Sequence, residues 1–171
     1  MNLFGLELQQ NQHAPGLLTG LLAYVSPSLV IELGTGYGGL TAYLGVWAIT
    51  ASSRIISWDI KECPLHSKSI LTKLGVEARL ADYNQPSEIA YIQESITQTR
   101  RCLLLCDGGN KPNDMLRFAP LLRKGDVIMA HDYAPDAEAS TIRYKPFLDL
   151  SRNRRQNCTS TFTNGIRNVC S

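Results

Sequence analysis

The chain has 171 residues, of which 44% are hydrophobic and 19% are charged. This length and composition fit one globular domain with a full hydrophobic core, and they exclude a disordered chain. The net charge is +2, and the basic residues are concentrated in positions 143–171, where six of them accompany a single acid. We interpret this basic segment as a solvated terminus, with nucleic acid as an improbable partner.

Cysteine usage and hydropathy predict a cytoplasmic protein. No apolar run approaches the ~20 residues that a membrane-spanning helix needs. The first twelve residues lack the charged start and apolar stretch of a signal peptide. The cysteines form an odd set without the spacing of a metal site, which favours a reducing compartment. They are Cys63, Cys102, Cys106, Cys158 and Cys170.

Short apolar runs alternate with longer amphipathic segments along most of the chain. Their periodicity, with proline and glycine at the boundaries, defines ten elements between residues 13 and 132. Helices are predicted at residues 13–25, 40–51, 64–75, 86–98 and 111–125, the last of them kinked or broken near Pro120. Strands are predicted at residues 29–33, 54–59, 76–82, 101–107 and 126–132. This alternation predicts an α/β fold with a doubly wound, mostly parallel sheet.

The pattern weakens after Tyr133. Residues 135–155 contain a candidate helix, and residues 158–163 a candidate short strand. If the sheet ends with the strand at 126–132, its apolar edge must be covered. We therefore expect either a homodimer or a cover made by residues 135–150.

The sequence GTGYGG, residues 34–39, follows the first predicted strand and precedes a helix. Its glycines fit the dinucleotide fingerprint G-x-G-x-x-G and equally the G-x-G-x-G of a methyl donor's pocket, and they also suit a simple tight turn. Glu32, two residues before Gly34, favours the methyl donor, because a carboxylate would repel a pyrophosphate and attract an ammonium or sulfonium group. The alternative role for Glu32 is pairing with an arginine or capping the next helix.

With these residues, the chain resembles the class I S-adenosylmethionine-dependent methyltransferases over about residues 15–135. The resemblance implies a Rossmann-like fold and S-adenosylmethionine as cofactor. It implies that Asp59 takes the ribose hydroxyls, that Ile60 lies against the adenine and that Asp82 meets the adenine amino group, although an Asx-turn explains Asp82 equally well. The implied cofactor-binding residues are Glu32, Gly34, Thr35, Gly36, Gly38, Asp59, Ile60, Asp82, Tyr83 and Asp107.

The resemblance also divides the single domain into three parts. Residues 1–26 form an N-terminal helical segment, and residues 27–135 form the cofactor-binding core. Residues 136–171 form a basic, weakly patterned segment. Since the family's sheet normally ends with an antiparallel hairpin of two further strands, this last segment implies a shortened C-terminal part.

The stretch CDGGNKPNDMLRFAPLLRKGDVIMAHDY, residues 106–133, resembles the catechol-O-methyltransferase-like and cephalosporin-hydroxylase-like branches of the family. The resemblance implies a divalent cation, Mg²⁺ or Mn²⁺, held by Asp107 and Asp132. His131 stands where those branches usually carry an acid, and it is a third candidate ligand and a candidate general base, with Asp107 at the reaction centre. The alternative is structural: Asp107 caps the turn DGGN and His131 holds Asp132 through a hydrogen bond.

The function implied is methyl transfer to a hydroxyl oxygen of a small molecule, assisted by the divalent cation. Two other functions remain open. One is a cofactor-binding module of the same fold without catalysis, which the short C-terminal part favours. The other is an NAD-dependent oxidoreductase, against which Glu32 argues.

Overall fold

The computed structural model describes residues 2–10, 13–130, 161–163 and 166–168. The strands are β1 (Asn2–Leu3), β2 (Leu6–Glu7), β3 (Leu29–Leu33), β4 (Arg54–Asp59), β5 (Glu77–Leu80), β6 (Cys102–Cys106), β7 (Val127–Ala130), β8 (Thr161–Thr163) and β9 (Ile166–Asn168). The helices are α1 (Ala14–Val25), α2 (Gly39–Ala51), α3 (Leu65–Lys73), α4 (Pro86–Gln98) and α5 (Lys111–Phe118). None of the helices in these ranges is long and apolar enough to cross a membrane.

Strands β3 to β7 form one parallel sheet in the order β5-β4-β3-β6-β7. The strand order reverses between β3 and β6, and the helices lie on both faces. Helices α1, α2 and α3 pack on one face, and α4 and α5 pack on the other. The predicted doubly wound α/β fold is therefore confirmed, and its ligand site is expected beyond the carboxyl ends of β3 and β6.

The central strands explain why the sequence pattern was so clear. All five residues of β3 and all five of β6 are buried. Alternate residues of β3 point to opposite helical layers: Leu29, Ile31 and Leu33 join the layer of α4 and α5, while Val30 joins the layer of α1 and α2. A strand covered on both faces needs apolar residues at nearly every position. Glu32 is the exception in β3, and it is on the same face as Val30.

The predicted helix over 111–125 is broken near Pro120, as one of the two alternatives anticipated. Helix α5 ends at Phe118 and a 3₁₀ turn follows over Ala119–Leu121. Pro120 has no N–H to donate to the preceding turn, so the α-helix cannot continue through it.

The N-terminal segment differs from the predicted helical one. Its first residues, β1 and β2, form an antiparallel hairpin, and α1 begins only at Ala14. Phe4 and Gly5 have φ values of 53° and 76°, which suit a tight two-residue turn. Leu6 and Leu8 are buried against the layer of α1 and α2. Because every second side chain is buried, this segment is extended rather than helical.

A second hairpin follows the main sheet. Strands β8 and β9 pair with Thr163 opposite Ile166, and β9 lies beside β7. The sequence analysis predicted one strand here and overlooked Asn-Gly at 164–165, the dipeptide most typical of a two-residue hairpin. The hairpin is a separate two-stranded sheet, and β7 remains the last strand of the main sheet. The homodimer therefore stays a prediction. The predicted helix and cover within residues 135–155 lie outside the described residues.

Candidate functional site

A cavity of about 760 Å³ lies at the carboxyl edge of the sheet, where the strand order reverses between β3 and β6. Its wall comes from the ends of β3, β4, β5 and β6 and from the N-terminal segment. The charged side chains on this wall are four acids and two lysines, so the cavity is acidic overall. They are Glu7, Asp59, Asp82, Asp107, Lys61 and Lys111.

The glycine loop forms the floor of the cavity, and Gly34 permits a close approach of β3 to β6. Gly34 has φ +110°, and a Cβ atom there would lie 2.8 Å from both the carbonyl carbon and the carbonyl oxygen of Asp107. Any other residue would push the two strand ends apart. Thr35, Gly36 and Gly38 also line the cavity, so the whole predicted loop faces it.

Asp59, at the end of β4, holds the loop from the side. One carboxylate oxygen accepts the Gly36 N–H at 2.8 Å, and the other accepts the Lys61 N–H at 2.9 Å. Each oxygen has a second lone pair, so the carboxylate can still accept two hydroxyl hydrogens from the cavity. Ile60 follows, 65% exposed and on the cavity wall, where it offers an apolar face to a flat ring.

Asp82 and Tyr83 follow β5 and also line the cavity. One oxygen of Asp82 accepts both the backbone N–H and the side-chain amide of Asn84, at 2.9 and 3.0 Å. These bonds lower the pKa of the Asp82 carboxyl. The Asx-turn considered from the sequence is therefore present, and it leaves the other oxygen of Asp82 uninvolved in it.

Tyr83 donates its hydroxyl to Asp114 of α5 at 3.1 Å. Asp114 is fully buried, and burial raises the pKa of its carboxyl. A Cβ atom on Gly108 would overlap the Tyr83 hydroxyl, so the tyrosine packs directly on the loop that follows β6. The hydrogen bond to Asp114 fixes Tyr83 beneath that loop. The sequence analysis did not identify Asp114 as a site residue.

Asp107, at the end of β6, already has partners in the structure. The Lys111 ammonium lies 3.6 Å from one carboxylate oxygen, and the Gln10 amide donates to the other at 3.4 Å. Lys111 is the first residue of α5 and lies four residues after Asp107, so the pair is local and partly buried. Of the three residues predicted to hold a metal, Asp107 alone is described, since His131 and Asp132 lie outside the described residues. No group of three metal-ligating side chains occurs within the described ranges.

The sequence analysis expected Glu32 to bind the cofactor, but in the structure Glu32 is not among the residues that line the cavity. It is fully buried behind the glycine loop, where Thr41 and Ser57 each donate to its Oε2 atom at 2.6 Å. Burial raises the pKa of this carboxyl to about 8, so Glu32 holds a proton more readily than an exposed glutamate does. The difference arises because side chains alternate along β3, and Glu32 points into the helical layer above the sheet.

Residues 6–10, here named the N-terminal strap, form a wall of the cavity that the sequence did not predict. Its inward leucines are buried, and its polar side chains Glu7, Gln9 and Gln10 line the cavity. A Cβ atom on Gly39 would overlap the Glu7 carbonyl oxygen and lie 2.6 Å from the carbonyl carbon. The strap thus lies directly on the first turn of α2 and reaches Asp107 through Gln10. The alternation of leucine and polar residues in LELQ, residues 6–9, is the sequence pattern that could have predicted this strap.

Replacing Gly39 with alanine should displace the strap, because the new methyl group must share space with backbone atoms that cannot rotate away. We expect faster amide hydrogen exchange at residues 6–10 and a loss of about 1–3 kcal/mol in the free energy of unfolding. Gly20→Ala is the matched control, since nothing lies within 4 Å of a Cβ there. Unchanged exchange in Gly39→Ala would contradict the close packing of strap and helix.

No protein-family model matches the chain, and no curated protein sequence matches it. Solved structures do match. A structure of CmcI with Mg and SAM has a TM-score of 0.72 at 16% identity, covering 100% of this chain and 77% of that one. The O-methyltransferase TomG from Streptomyces achromogenes, in complex with SAM, has a TM-score of 0.60 at 19% identity, covering 98% and 81%. An O-methyltransferase from Bacillus cereus in complex with SAH has a TM-score of 0.62 at 17% identity, covering 95% and 83%.

The chain has the fold of these O-methyltransferases. The methyltransferase fold accounts for where the acids lie, because parallel strands bring their carboxyl ends to one edge of the sheet. Asp59, Asp82 and Asp107 meet there around one cavity. Glu32 is the fourth acid at a strand end, and it lies one layer behind them.

Proposed function

We propose that the protein transfers the methyl group of S-adenosylmethionine to a hydroxyl oxygen of a small molecule. The observation that carries the proposal is the Asp59 carboxylate, fixed by two backbone N–H groups beside a glycine loop, at the switch point of a methyltransferase fold. A carboxylate in that place accepts from two neighbouring hydroxyls, as a ribose presents them.

The cavity wall suits each part of this cofactor. The exposed side chain of Ile60 offers a surface for the adenine, and Asp82 keeps an oxygen for its amino group. The glycine loop and the strap surround the remaining space, which the methionine part would occupy. Four acidic and two basic side chains suit a ligand with two cationic centres better than a pyrophosphate. The strap also packs on the first turn of α2, the end of a helix where a dinucleotide would place its phosphates. This disfavours the NAD-dependent alternative.

When bound, S-adenosylmethionine supplies a methyl group on a positively charged sulfur. The chain's own residues would orient the acceptor and remove its proton. Asp107, at the reaction centre, is positioned by Lys111 and Gln10. His131 follows β7, the strand next to β6, and we propose it as the general base. Position and electrostatics supply most of the rate enhancement in such a reaction.

The experiment combines binding and turnover on the intact chain. We expect S-adenosylmethionine and S-adenosylhomocysteine to raise the melting temperature and NAD to leave it unchanged. At a hundred-fold excess over the dissociation constant, a ligand stabilises the fold by about 2.7 kcal/mol. Methyl transfer is then followed with labelled cofactor and a panel of phenols and alcohols. A larger shift with NAD would contradict the proposal, and binding without transfer to any acceptor would favour the non-catalytic module.

The metal is a separate part of the proposal. We propose that Asp107, Asp132 and His131 bind Mg²⁺ or Mn²⁺, because adjacent parallel strands lie about 4.8 Å apart and their terminal side chains can converge. A divalent cation there would lower the pKa of an acceptor hydroxyl. The Lys111 ammonium, 3.6 Å from Asp107, must move or be compensated for this ion to bind.

Calorimetric titration of chelator-treated protein with Mg²⁺ and Mn²⁺ tests the metal site. We expect binding in the natural protein and none in the double variant Asp107→Asn, Asp132→Asn. The alternative structural role of these residues, with Asp107 in a turn and His131 holding Asp132, predicts no binding even at millimolar ion. That outcome would leave His131 as the candidate base without a metal.

A cytoplasmic location and a homodimer remain proposals. Two of the cysteines, Cys102 and Cys106, are buried free thiols in β6, which suits a reducing compartment. Light scattering on the purified chain measures the oligomeric state directly.

A further inference from the structure

Glu32 is connected to the cavity although it does not line it. Its Oε2 atom accepts from Ser57, and the Ser57 oxygen lies 2.6 Å from the hydroxyl of Thr35. Thr35 is 8% exposed and forms part of the cavity wall. Three side chains from two neighbouring strand ends therefore form a continuous hydrogen-bonded row from a buried carboxyl to the ligand space.

The direction of this row depends on the charge of Glu32. A serine hydroxyl has one hydrogen. When Glu32 is ionised, Ser57 donates to it, so Thr35 must donate to Ser57 and present an oxygen lone pair to the cavity. When Glu32 is protonated and donates outward, both hydroxyls can reverse, and Thr35 then presents a hydrogen. The charge of the buried Glu32 therefore decides whether Thr35 offers the ligand a hydrogen-bond acceptor or a donor.

The surroundings of Glu32 make its ionisation sensitive to a nearby cation. Its Oε1 atom has no hydrogen-bond partner among the described residues. Burial is the largest cause of its raised pKa, and the charges of Asp107 and Asp59, from the two neighbouring strand ends, raise it further. Ser57 and Thr41 lower it.

Among the charged groups near Glu32, Asp107 and Asp59 act on its pKa most. Helix α3, on the same face, carries His66, Lys68 and Lys73, and Lys68 is paired with Glu62. Helices α1 and α2 contain no acid, lysine, arginine or histidine. Their tyrosines are Tyr24, which is 83% exposed, and Tyr43, which donates to the Pro15 carbonyl. The ammonium of Lys111 offsets the charge of Asp107. A cation in the cavity would therefore act against the charges of Asp107 and Asp59 and favour the ionised form of Glu32.

We propose that Glu32, acting through Ser57 and Thr35, makes the cavity discriminate the positively charged S-adenosylmethionine from its uncharged-sulfur product, and that this discrimination increases with pH. The inference rests on the proposed cofactor. When the sulfonium ligand binds, Glu32 loses its proton to solvent; after methyl transfer the sulfur is neutral, and Glu32 takes a proton back. Release of product is thereby favoured. Glu32 is a specificity-determining residue here, and it needs no direct contact with the ligand.

Calorimetry with S-adenosylmethionine and S-adenosylhomocysteine tests this at about pH 6.5 and about pH 9, on either side of the pKa of Glu32. The ratio of the two affinities should rise with pH, about tenfold for each unit by which the bound sulfonium lowers that pKa. The two ligands share their amino and carboxyl groups, so the titration of those groups largely cancels in the ratio. In Glu32→Gln the ratio should not depend on pH.

Two further measurements complete the test, and the first of them needs no variant. In the natural protein near pH 7, the binding enthalpy of S-adenosylmethionine should depend on the ionisation enthalpy of the buffer, because a proton is released; that of S-adenosylhomocysteine should not. Ser57→Ala, which interrupts the row, should weaken the pH dependence of the ratio. A ratio independent of pH in the natural protein, or the same proton release with both ligands, would overturn the inference. If neither ligand binds at either pH, the proposed function itself fails.

Discussion

Asp59→Ala should abolish most of the stabilisation that S-adenosylmethionine gives to the fold. The substitution removes the acceptor for two ribose hydroxyls, and it also removes the two bonds that fix Gly36 and Lys61 at 2.8 and 2.9 Å. Charge-assisted hydrogen bonds of this kind contribute roughly 1.5–3 kcal/mol, so we expect a loss of about 10- to 150-fold in affinity. The measurement is the melting-temperature shift with and without ligand, followed by calorimetric titration.

The matched control is Asp59→Asn. It keeps the shape of the side chain and one carbonyl oxygen, so the variant should retain the Gly36 bond or the Lys61 bond and bind with intermediate affinity. If Asp59→Ala binds the cofactor as tightly as the natural protein, then Asp59 does not hold the ribose. The assignment of the cavity to S-adenosylmethionine would lose its main support.

Gly34→Ala should have the largest effect on stability. Its backbone φ of +110° is unfavourable for any residue with a side chain, and the new methyl group would lie 2.8 Å from two backbone atoms of Asp107. The conformational strain and the overlap together should cost roughly 2–6 kcal/mol in the free energy of unfolding. Chemical denaturation with urea measures this directly. Because β3 and β6 lie at the centre of the sheet, their ends cannot separate without disturbing their neighbours.

Gly109→Ala is the control for this prediction. Gly109 lies two residues after Asp107, on the same side of the cavity, yet nothing lies within 4 Å of a Cβ at that position and its φ is not in the left-handed region. Alanine there should change the free energy of unfolding by less than about 1 kcal/mol. Equal destabilisation by the two substitutions would mean that the close approach of Gly34 to Asp107 is not the cause.

The sequence by itself determined the main sheet and the strand ends. The apolar runs at 29–33 and 54–59 coincide with β3 and β4, and the run at 101–107 contains β6. A strand buried on both faces is apolar at nearly every position, and polar residues become frequent again where each strand ends. Asp59 and Asp107 stand at such ends, which is why their placement on the cavity could be predicted. The glycine loop could be predicted equally well, since few residues other than glycine fit its backbone.

Only the tertiary structure decided what lies between and behind these residues. Whether Glu32 faces the ligand depends on which helical layer covers each face of β3, and a fully buried strand has no polar face in its sequence to reveal this. The placement of the N-terminal strap depends on contacts between distant segments, such as that of Gln10 with Asp107, which are 97 positions apart. Local periodicity reports only on neighbours within a turn or a strand. Contacts between distant segments form only when the sheet brings its strand ends to one edge, and it is the burial there that raises the pKa of Glu32.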